Sequence, residues 1–219
     1  MFKLIVDNRN RNSLATKLRR KRTALFESLL TPLAKPIRIL DVGGTELYWK
    51  MTDLASNDKI SIWLLNLETV STSLLNCTSV RGDARRLDFE NDNFDVVFSN
   101  SVIEHVGNYE DQLQMAKEVL RVGRRYFVQT PNKYFPVEPH FVFPFFQFLP
   151  FGLRVWFLRN FNLGWFPKTP DKSSARQIVE SIRLLDRREF IQLFPDAKIY
   201  EEKIFGLTKS FIAYGGWEE

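Results

Sequence analysis

The sequence predicts an α/β protein built on a doubly wound, mostly parallel sheet that ends in an antiparallel hairpin. Short apolar runs that end in glycine or polar residues alternate with amphipathic segments, as expected for buried parallel strands. Two apolar runs near the C-terminus are joined by a tight connection at Gly206, and so short a link allows only antiparallel pairing. The length of 219 residues suits one domain with a sizeable core.

The N-terminal segment, residues 1–35, is predicted to form a basic amphipathic helix that begins after Ser13 as N-cap. Residues 1–23 hold eight Lys or Arg and one acid, so this segment carries +7, and the rest of the chain, from a net +5, carries −2. Residues 19–22 lie mostly off the apolar face. The helix is expected either to dock on the domain or to contact an anionic membrane surface or anionic substrate. Because the body is mildly acidic, nucleic acid is disfavoured as a partner.

Residues 36–219 are predicted to form a single domain. The apolar runs give parallel strands at 37–42, 60–67, 78–81, 94–98 and 125–129, with a helix at 109–121 that Gly123 stops. A helix at 187–194 follows, capped by Asp186, and strands at 198–205 and 208–214 form the hairpin. In open sheets of this type ligands bind outside the carboxyl ends of the strands, where small and polar residues follow each run.

An aromatic-rich insertion, residues 134–168, follows the fifth strand. Ten of the twenty Phe residues lie in this segment, and four of its prolines exclude a long helix or a central strand: Pro136, Pro139, Pro144 and Pro150. The rings are expected to form an extra layer of core, the wall of an apolar substrate pocket, or a lipid contact.

The single cysteine, Cys77, gives no sign of an oxidising compartment and is expected to be a small buried hydrophobe. No apolar run approaches the length of a membrane span, and the N-terminus has no signal-peptide core. The sequence therefore predicts a cytoplasmic protein.

Three segments together resemble the class I S-adenosylmethionine-dependent methyltransferases: residues 39–45 (ILDVGGT), 82–84 (GDA) and 94–106 (FDVVFSNSVIEHV). The resemblance extends from about residue 36 to the C-terminus and includes the terminal hairpin. It implies a seven-stranded, Rossmann-like sheet, S-adenosylmethionine as cofactor, and methyl transfer as the reaction. A dinucleotide-dependent dehydrogenase is disfavoured, because the loop lacks the third glycine of that fingerprint.

Cofactor contacts are expected at the ends of the first four strands. Glycine lets a ligand approach the backbone, the next helix start offers N–H groups to a carboxylate, and a carboxylate or amide after the second strand can bind ribose hydroxyls. The resemblance implies that the acid after the third strand and the next N–H bind adenine, and that the fourth strand tip faces the methionine part. The residues in these positions are Asp41, Gly43, Gly44 and Thr45; Asn66 and Glu68; Asp83 and Ala84; and Asn100 and Ser101.

The first loop departs from the family pattern. Alternate glycines would fall at positions 43, 45 and 47, where this chain has Thr45 and Leu47 in the last two. We predict a tighter loop with Tyr48 and Trp49 packed beside it. The altered loop also motivates an alternative to an enzyme: a non-catalytic cofactor-binding or scaffold domain that uses its basic helix and aromatic surface.

The two histidines are the candidate general bases. His105 lies one helical turn past the fourth strand, and an ordinary pKa near 6.5 would suit a base at neutral pH; it could instead cap or pack the following helix. Glu104 is similar to a carboxylate that, in the ubiquinone-pathway O-methyltransferases, helps hold a divalent metal with the adjacent His and an acid three residues earlier. Ser101 occupies that earlier position here, so no metal is expected.

The loop after the fifth strand supplies the second group of candidate catalytic residues, His140 with Asn132 and Glu138, in a fold where this loop contributes to the acceptor site. It could instead be a rigid turn that starts the insertion. The sequence thus predicts methyl transfer to a small-molecule or lipid- or glycan-linked acceptor, at oxygen. It gives no indication of the oligomeric state.

Overall fold

A computed structural model of the protein describes residues 13–217. The basic residues predicted to act within positions 1–12 lie outside the described residues. Helix α1, Leu14–Leu30, begins as predicted at Ser13, whose Oγ accepts a hydrogen bond from the Thr16 amide at 3.0 Å. The strands are β1 Ile37–Val42, β2 Ile60–Asn66, β3 Cys77–Arg81, β4 Val96–Asn100, β5 Tyr126–Pro131, β6 Val137–Glu138, β7 Phe143–Pro144, β8 Lys198–Ile204 and β9 Leu207–Gly215.

Seven of these strands form one sheet in the order β3-β2-β1-β4-β5-β9-β8. The strands β1 to β5 pair in parallel, whereas β9 is antiparallel to both β5 and β8. The predicted fold class is therefore confirmed. The fourth strand lies two residues later than predicted, because Phe94 makes only an isolated bridge to Gly123 and the ladder starts at Val96.

The other α-helices among residues 13–217 are α2 Glu46–Trp49, α3 Tyr109–Val122, α4 Phe151–Asn160, α5 Lys172–Glu180 and α6 Arg187–Leu193, and three short 3-10 helices lie at Asp53–Ser56, Ile103–His105 and Phe146–Phe148. Helices α3 and α6 cover one face of the sheet, where Val119 and Phe190 are fully buried. Helix α1 covers the other face through Phe26 and Leu30, next to Trp49. Residues 67–76 and 82–95 contain no α-helix, so α1 supplies the layer that a crossover helix would otherwise provide.

The aromatic insertion builds a small core of its own. Phe141, Phe146, Val155 and Leu158 are buried together with residues of α5, in a cluster separate from the two that cover the sheet. Helix α4 was not predicted; it fits between the prolines because Pro150 stands at its N-cap, where no backbone N–H is needed. Among residues 13–217 no helix has the length and apolar character needed to cross a bilayer.

Candidate functional site

Three adjoining cavities open at the carboxyl edge of the sheet. The β2–β3 cavity holds about 550 Å³, the glycine-loop cavity about 180 Å³ and the basic cavity about 340 Å³. Gly43 lines the first two, while Asn100 and Arg19 line the last two. The three cavities are therefore neighbours along this edge, from the tip of β3 to the basic cavity. Two further cavities, of about 450 Å³ and about 800 Å³, lie beside the insertion and along α1, but no residue of the glycine loop, 43–45, lines either.

The loop after β1 requires glycine at two positions. Gly43 has a φ of +76°, and a Cβ there would lie 2.5 Å from Val102 Cγ2. A Cβ on Gly44 would lie 1.7 Å from Asp41 Oδ2. Both positions therefore exclude a side chain, for conformational and steric reasons.

Asp41, at the end of β1, packs against Gly44 of this loop. The Trp49 indole Nε1–H donates to Asp41 Oδ2 at 2.6 Å, and both side chains are buried. Burial raises the pKa of Asp41 to about 7, against the lowering effect of that hydrogen bond. Tyr48 and Trp49 are both buried beside the loop, which confirms the predicted tighter packing. Trp49 does not line any of the three cavities, so the cleft stays open.

The helix that follows the glycine loop is too short to bind a carboxylate at its N-terminus in the way expected from the sequence. Helix α2 has only one turn, and Thr45, at its N-cap, makes no side-chain capping bond but lines the glycine-loop cavity. The dipole of a single turn is small, because the macrodipole sums over aligned peptides. Arg19 of α1 lines the same cavity and brings a full positive charge, which the sequence did not predict.

The β2–β3 cavity collects the predicted residues of the second and third strand ends. Asn66 Nδ2 donates to the Gly44 carbonyl at 2.9 Å and so fixes the loop, while Glu68 is exposed and lies 3.6 Å from Arg81. Asp83 pairs with Arg85 at 2.7 Å, and those hydrogen bonds lower the pKa of the carboxyl. Ala84 is buried beside it. These residues form the wall of the cavity, together with His105.

The tip of β4 is held by a residue of α1 that the sequence analysis missed. Ser101 has a φ of +57° and donates through Oγ to Gln129 Oε1 at 2.8 Å. Arg22 donates to that same oxygen at 3.0 Å and also to Asn100 Oδ1. A guanidinium of the basic helix therefore lies at the end of the strand predicted to face the methyl group.

The partner of Arg22 is Glu202 of β8. Arg22 Nε and Nη2 donate to the two carboxylate oxygens at 3.0 and 2.5 Å, and both side chains are buried. Burial alone would raise the pKa of Glu202, but the Arg22 charge and hydrogen bonds from Arg22 and Ser210 lower it overall. This ion pair fixes α1 to the far edge of the sheet.

The predicted catalytic residues form one cluster. His140 Nδ1 lies 2.7 Å from Glu138 Oε1, its Nε2 lies 3.9 Å from Glu104 Oε1, and its ring meets that of His105 edge to face at 4.8 Å. Glu104 is fully buried; Oε2 accepts a bond from Thr130 at 3.1 Å, while Oε1 has no hydrogen-bond partner among the described residues. Burial raises the pKa of Glu104 to about 6.

The two histidines differ in basicity and position. His105 is solvent-accessible from the β2–β3 cavity, yet crowding by protein atoms and the neighbouring His140 lower its pKa to about 4. His140 lines the basic cavity instead. Burial acts to lower the pKa of His140, but Glu138 and Glu104 raise it above its ordinary value. Asn132 has a structural role, because its Nδ2 donates to the Thr208 carbonyl at 2.7 Å.

The cluster also has the composition of a metal site. Ligand-type atoms of Glu104, His105 and His140 lie within 4.8 Å of one another, and imidazole with carboxylate is a common ligand set for divalent metals. The third residue of this set, His140, comes from the loop after β5. The sequence analysis had considered position 101 instead, where this chain has Ser101. The absence of a metal stays a prediction.

Comparisons with known proteins find similarity to methyltransferases. Residues 37–128 match the family model described as "Methyltransferase domain". The methyltransferase domain of bacterial CtHen1-CN is similar in structure, with a TM-score of 0.53, 12% identity, and coverage of 90% of this chain and 98% of that one. An S-adenosylmethionine-dependent methyltransferase of Aquifex aeolicus gives a TM-score of 0.51 at 12% identity, covering 88% and 87% of the two chains.

Sequence relatives match over a shorter stretch. An uncharacterised protein of Mycobacterium tuberculosis is 42% identical over 53 residues, which is 24% of this chain and 18% of that protein. The solved structures, at their low identities, show a shared fold.

Proposed function

We propose that this chain, whose residues 37–128 match a methyltransferase-domain model, is a class I S-adenosylmethionine-dependent methyltransferase. In this proposal it binds S-adenosylmethionine in the cleft at the carboxyl edge of its sheet and methylates a small-molecule or lipid- or glycan-linked acceptor at oxygen. The proposal rests on the three neighbouring cavities at this edge, which share Gly43, Arg19 and Asn100 in their walls. The cofactor supplies a methyl group on a sulfonium sulfur, from which it leaves by in-line displacement. The acceptor must therefore meet the methyl group from the side opposite the sulfur.

The walls of the cleft suit the parts of this cofactor. In the proposal, Asp83 and Ala84 bind the adenine and Asn66 and Glu68 face the ribose, because these residues line the β2–β3 cavity. The Arg19 guanidinium binds the methionine carboxylate in the glycine-loop cavity. Asn100, shared by the glycine-loop and basic cavities, then lies between the methionine part and the acceptor.

His140 is the proposed general base. Glu138 orients the ring through Nδ1 and leaves Nε2 to take a proton from an acceptor hydroxyl in the basic cavity. Glu104 lies on the Nε2 side, 3.9 Å away, where its charge stabilises the protonated ring. His105 is a weaker candidate, since its lowered pKa makes it a poor proton acceptor and it faces the β2–β3 cavity.

Binding and turnover test the two halves of this proposal separately. Isothermal titration with S-adenosylhomocysteine should give one site per chain, and incubation with S-adenosylmethionine and a panel of hydroxylated acceptors should release S-adenosylhomocysteine. The His140→Asn variant should lose turnover and keep cofactor binding, while Lys168→Met, an exposed position in the insertion, should behave as wild type. No binding up to millimolar cofactor would refute the proposal.

A non-catalytic binding domain is the second candidate, favoured by aromatic side chains that remain exposed in the insertion. Tyr134, Phe148, Trp156 and Phe161 each expose close to half of their surface or more. Such a surface, with the basic α1, would suit contact with an anionic membrane or a partner protein. Cofactor binding without turnover of any acceptor would support this candidate. We retain a cytoplasmic location and no nucleic-acid partner as parts of the proposal.

A further inference from the structure

We propose, on the basis of the methyltransferase function above, that the acceptor carries an anionic group of phosphate or carboxylate type, and that Lys209 binds this group in the basic cavity. The cavity lies between α1, β5, β9 and the loop after β5. A volume of about 340 Å³ suits a small molecule or the end of a larger one.

Positive charge dominates the wall of this cavity. Arg19, Arg22 and Lys209 line it, as does His140, and no carboxylate does. Lys209 is partly buried and shares the wall of this cavity with both arginines. Burial and the charges of Arg22 and Arg19 lower the pKa of its ammonium to about 8. At neutral pH it still carries its charge.

Two acids close to this cavity, Glu202 and Glu138, are already engaged. Glu202 attracts Lys209, but its two oxygens bind Arg22 and one of them also accepts a bond from Ser210. Glu138 is engaged by His140 and by the backbone N–H groups of residues 140 and 141. The Lys209 ammonium makes no hydrogen bond or ion pair with any residue in the range 13–217.

A partly buried ammonium with no hydrogen-bonded counter-ion lacks the compensation that buried charges normally have. An anion in the cavity would supply it, and Arg22 could assist, since it donates four hydrogen bonds from a group with five N–H donors. Because His140 lines the same wall, an anion held at Lys209 would place the rest of a small acceptor beside the proposed base. Arg19 is left for the cofactor carboxylate, so the two anions have separate partners.

Anion binding to the full chain saturated with S-adenosylhomocysteine tests this proposal. Inorganic phosphate and acetate are titrated by calorimetry at constant ionic strength, with chloride as the baseline, so that the two arms distinguish a phosphate site from a carboxylate site. We expect at least one of the two to bind, and Lys209→Met to weaken it about tenfold or more. Lys209→Arg and the exposed control Lys168→Met should retain binding, and every variant should bind S-adenosylhomocysteine as wild type does.

Other outcomes overturn the proposal. Equal binding to wild type and Lys209→Met would mean an adventitious ion only. No binding of either anion, with S-adenosylhomocysteine bound, would leave the methyltransferase proposal intact and remove this one. If Lys209→Met loses S-adenosylhomocysteine as well, while remaining folded by circular dichroism, the lysine serves the cofactor. If the wild type does not bind S-adenosylhomocysteine, the proposed function fails and this inference fails with it.

Discussion

Replacement of Arg22 by methionine is expected to be among the most destabilising changes on α1. The substitution preserves a long side chain but leaves Glu202 buried without its counter-ion and removes donors from Asn100 and Gln129. Breaking a buried ion pair by removing one partner costs about 3–5 kcal/mol, because the remaining charge has no compensation. With a urea dependence of about 2 kcal/mol per molar, the unfolding midpoint should fall by roughly 2 M.

Urea unfolding followed by circular dichroism measures this effect. Arg20→Met, an exposed position on the same helix, is the matched control and should change the unfolding free energy by at most about 0.5 kcal/mol. The double variant Arg22→Met/Glu202→Gln should recover part of the loss, because the uncompensated charge is gone. If Arg22→Met is as stable as the control, the ion pair does not hold α1 to the sheet and the reasoning is refuted.

Four further results are expected. The pKa of Glu202 is lowered in the folded state, so its contribution to stability is present above the unfolded pKa of about 4.3 and is lost as pH falls through the folded value. On acidification, the unfolding free energy of Glu202→Gln should therefore decrease less than that of the wild type. Equal decreases would contradict this. Gly44→Ala should weaken S-adenosylhomocysteine binding tenfold or more by calorimetry, because its Cβ would collide with Asp41; unchanged affinity would contradict cofactor binding at the glycine loop. His140→Asn should lower kcat by about 100- to 10,000-fold, with a smaller effect for His105→Asn, and the reverse order would restore His105 as the base. Dialysis against a chelator should leave turnover unchanged; a loss reversed by added divalent metal would overturn the prediction of no metal.

Local sequence signals predicted most of the fold. The apolar runs and their terminal residues located all seven strands of the main sheet, and Ser13 and Gly123 gave a helix start and a helix end. The predicted bounds of β4 were two residues too early, because the apolar residue Phe94 packs in the core without joining the ladder. Helix α4 escaped prediction because its rings are distributed around the helix and not along one face.

The site was less accessible to sequence reasoning. Residues 19–22 were predicted to lie mostly off the apolar face of α1, but Arg22 is buried. It lies four residues after Leu18 and four before Phe26, so the same helical spacing could have identified it. Its partner Glu202 is 180 positions away, and no local pattern predicts such a pair. No local pattern predicts that His140 contacts His105 or that Lys209 and Arg22 line one cavity. These residues come together because β4, β5 and β9 are neighbours in the sheet and α1 packs on it.

A crystal structure of the protein with S-adenosylhomocysteine would test the central claim most directly. The account predicts electron density for adenosine in the β2–β3 cavity next to Asp83, for the carboxylate at Arg19, and for the sulfur facing Asn100 and the basic cavity. Density at any other place on the molecule, or a cleft that remains empty in crystals grown with millimolar ligand, would contradict it.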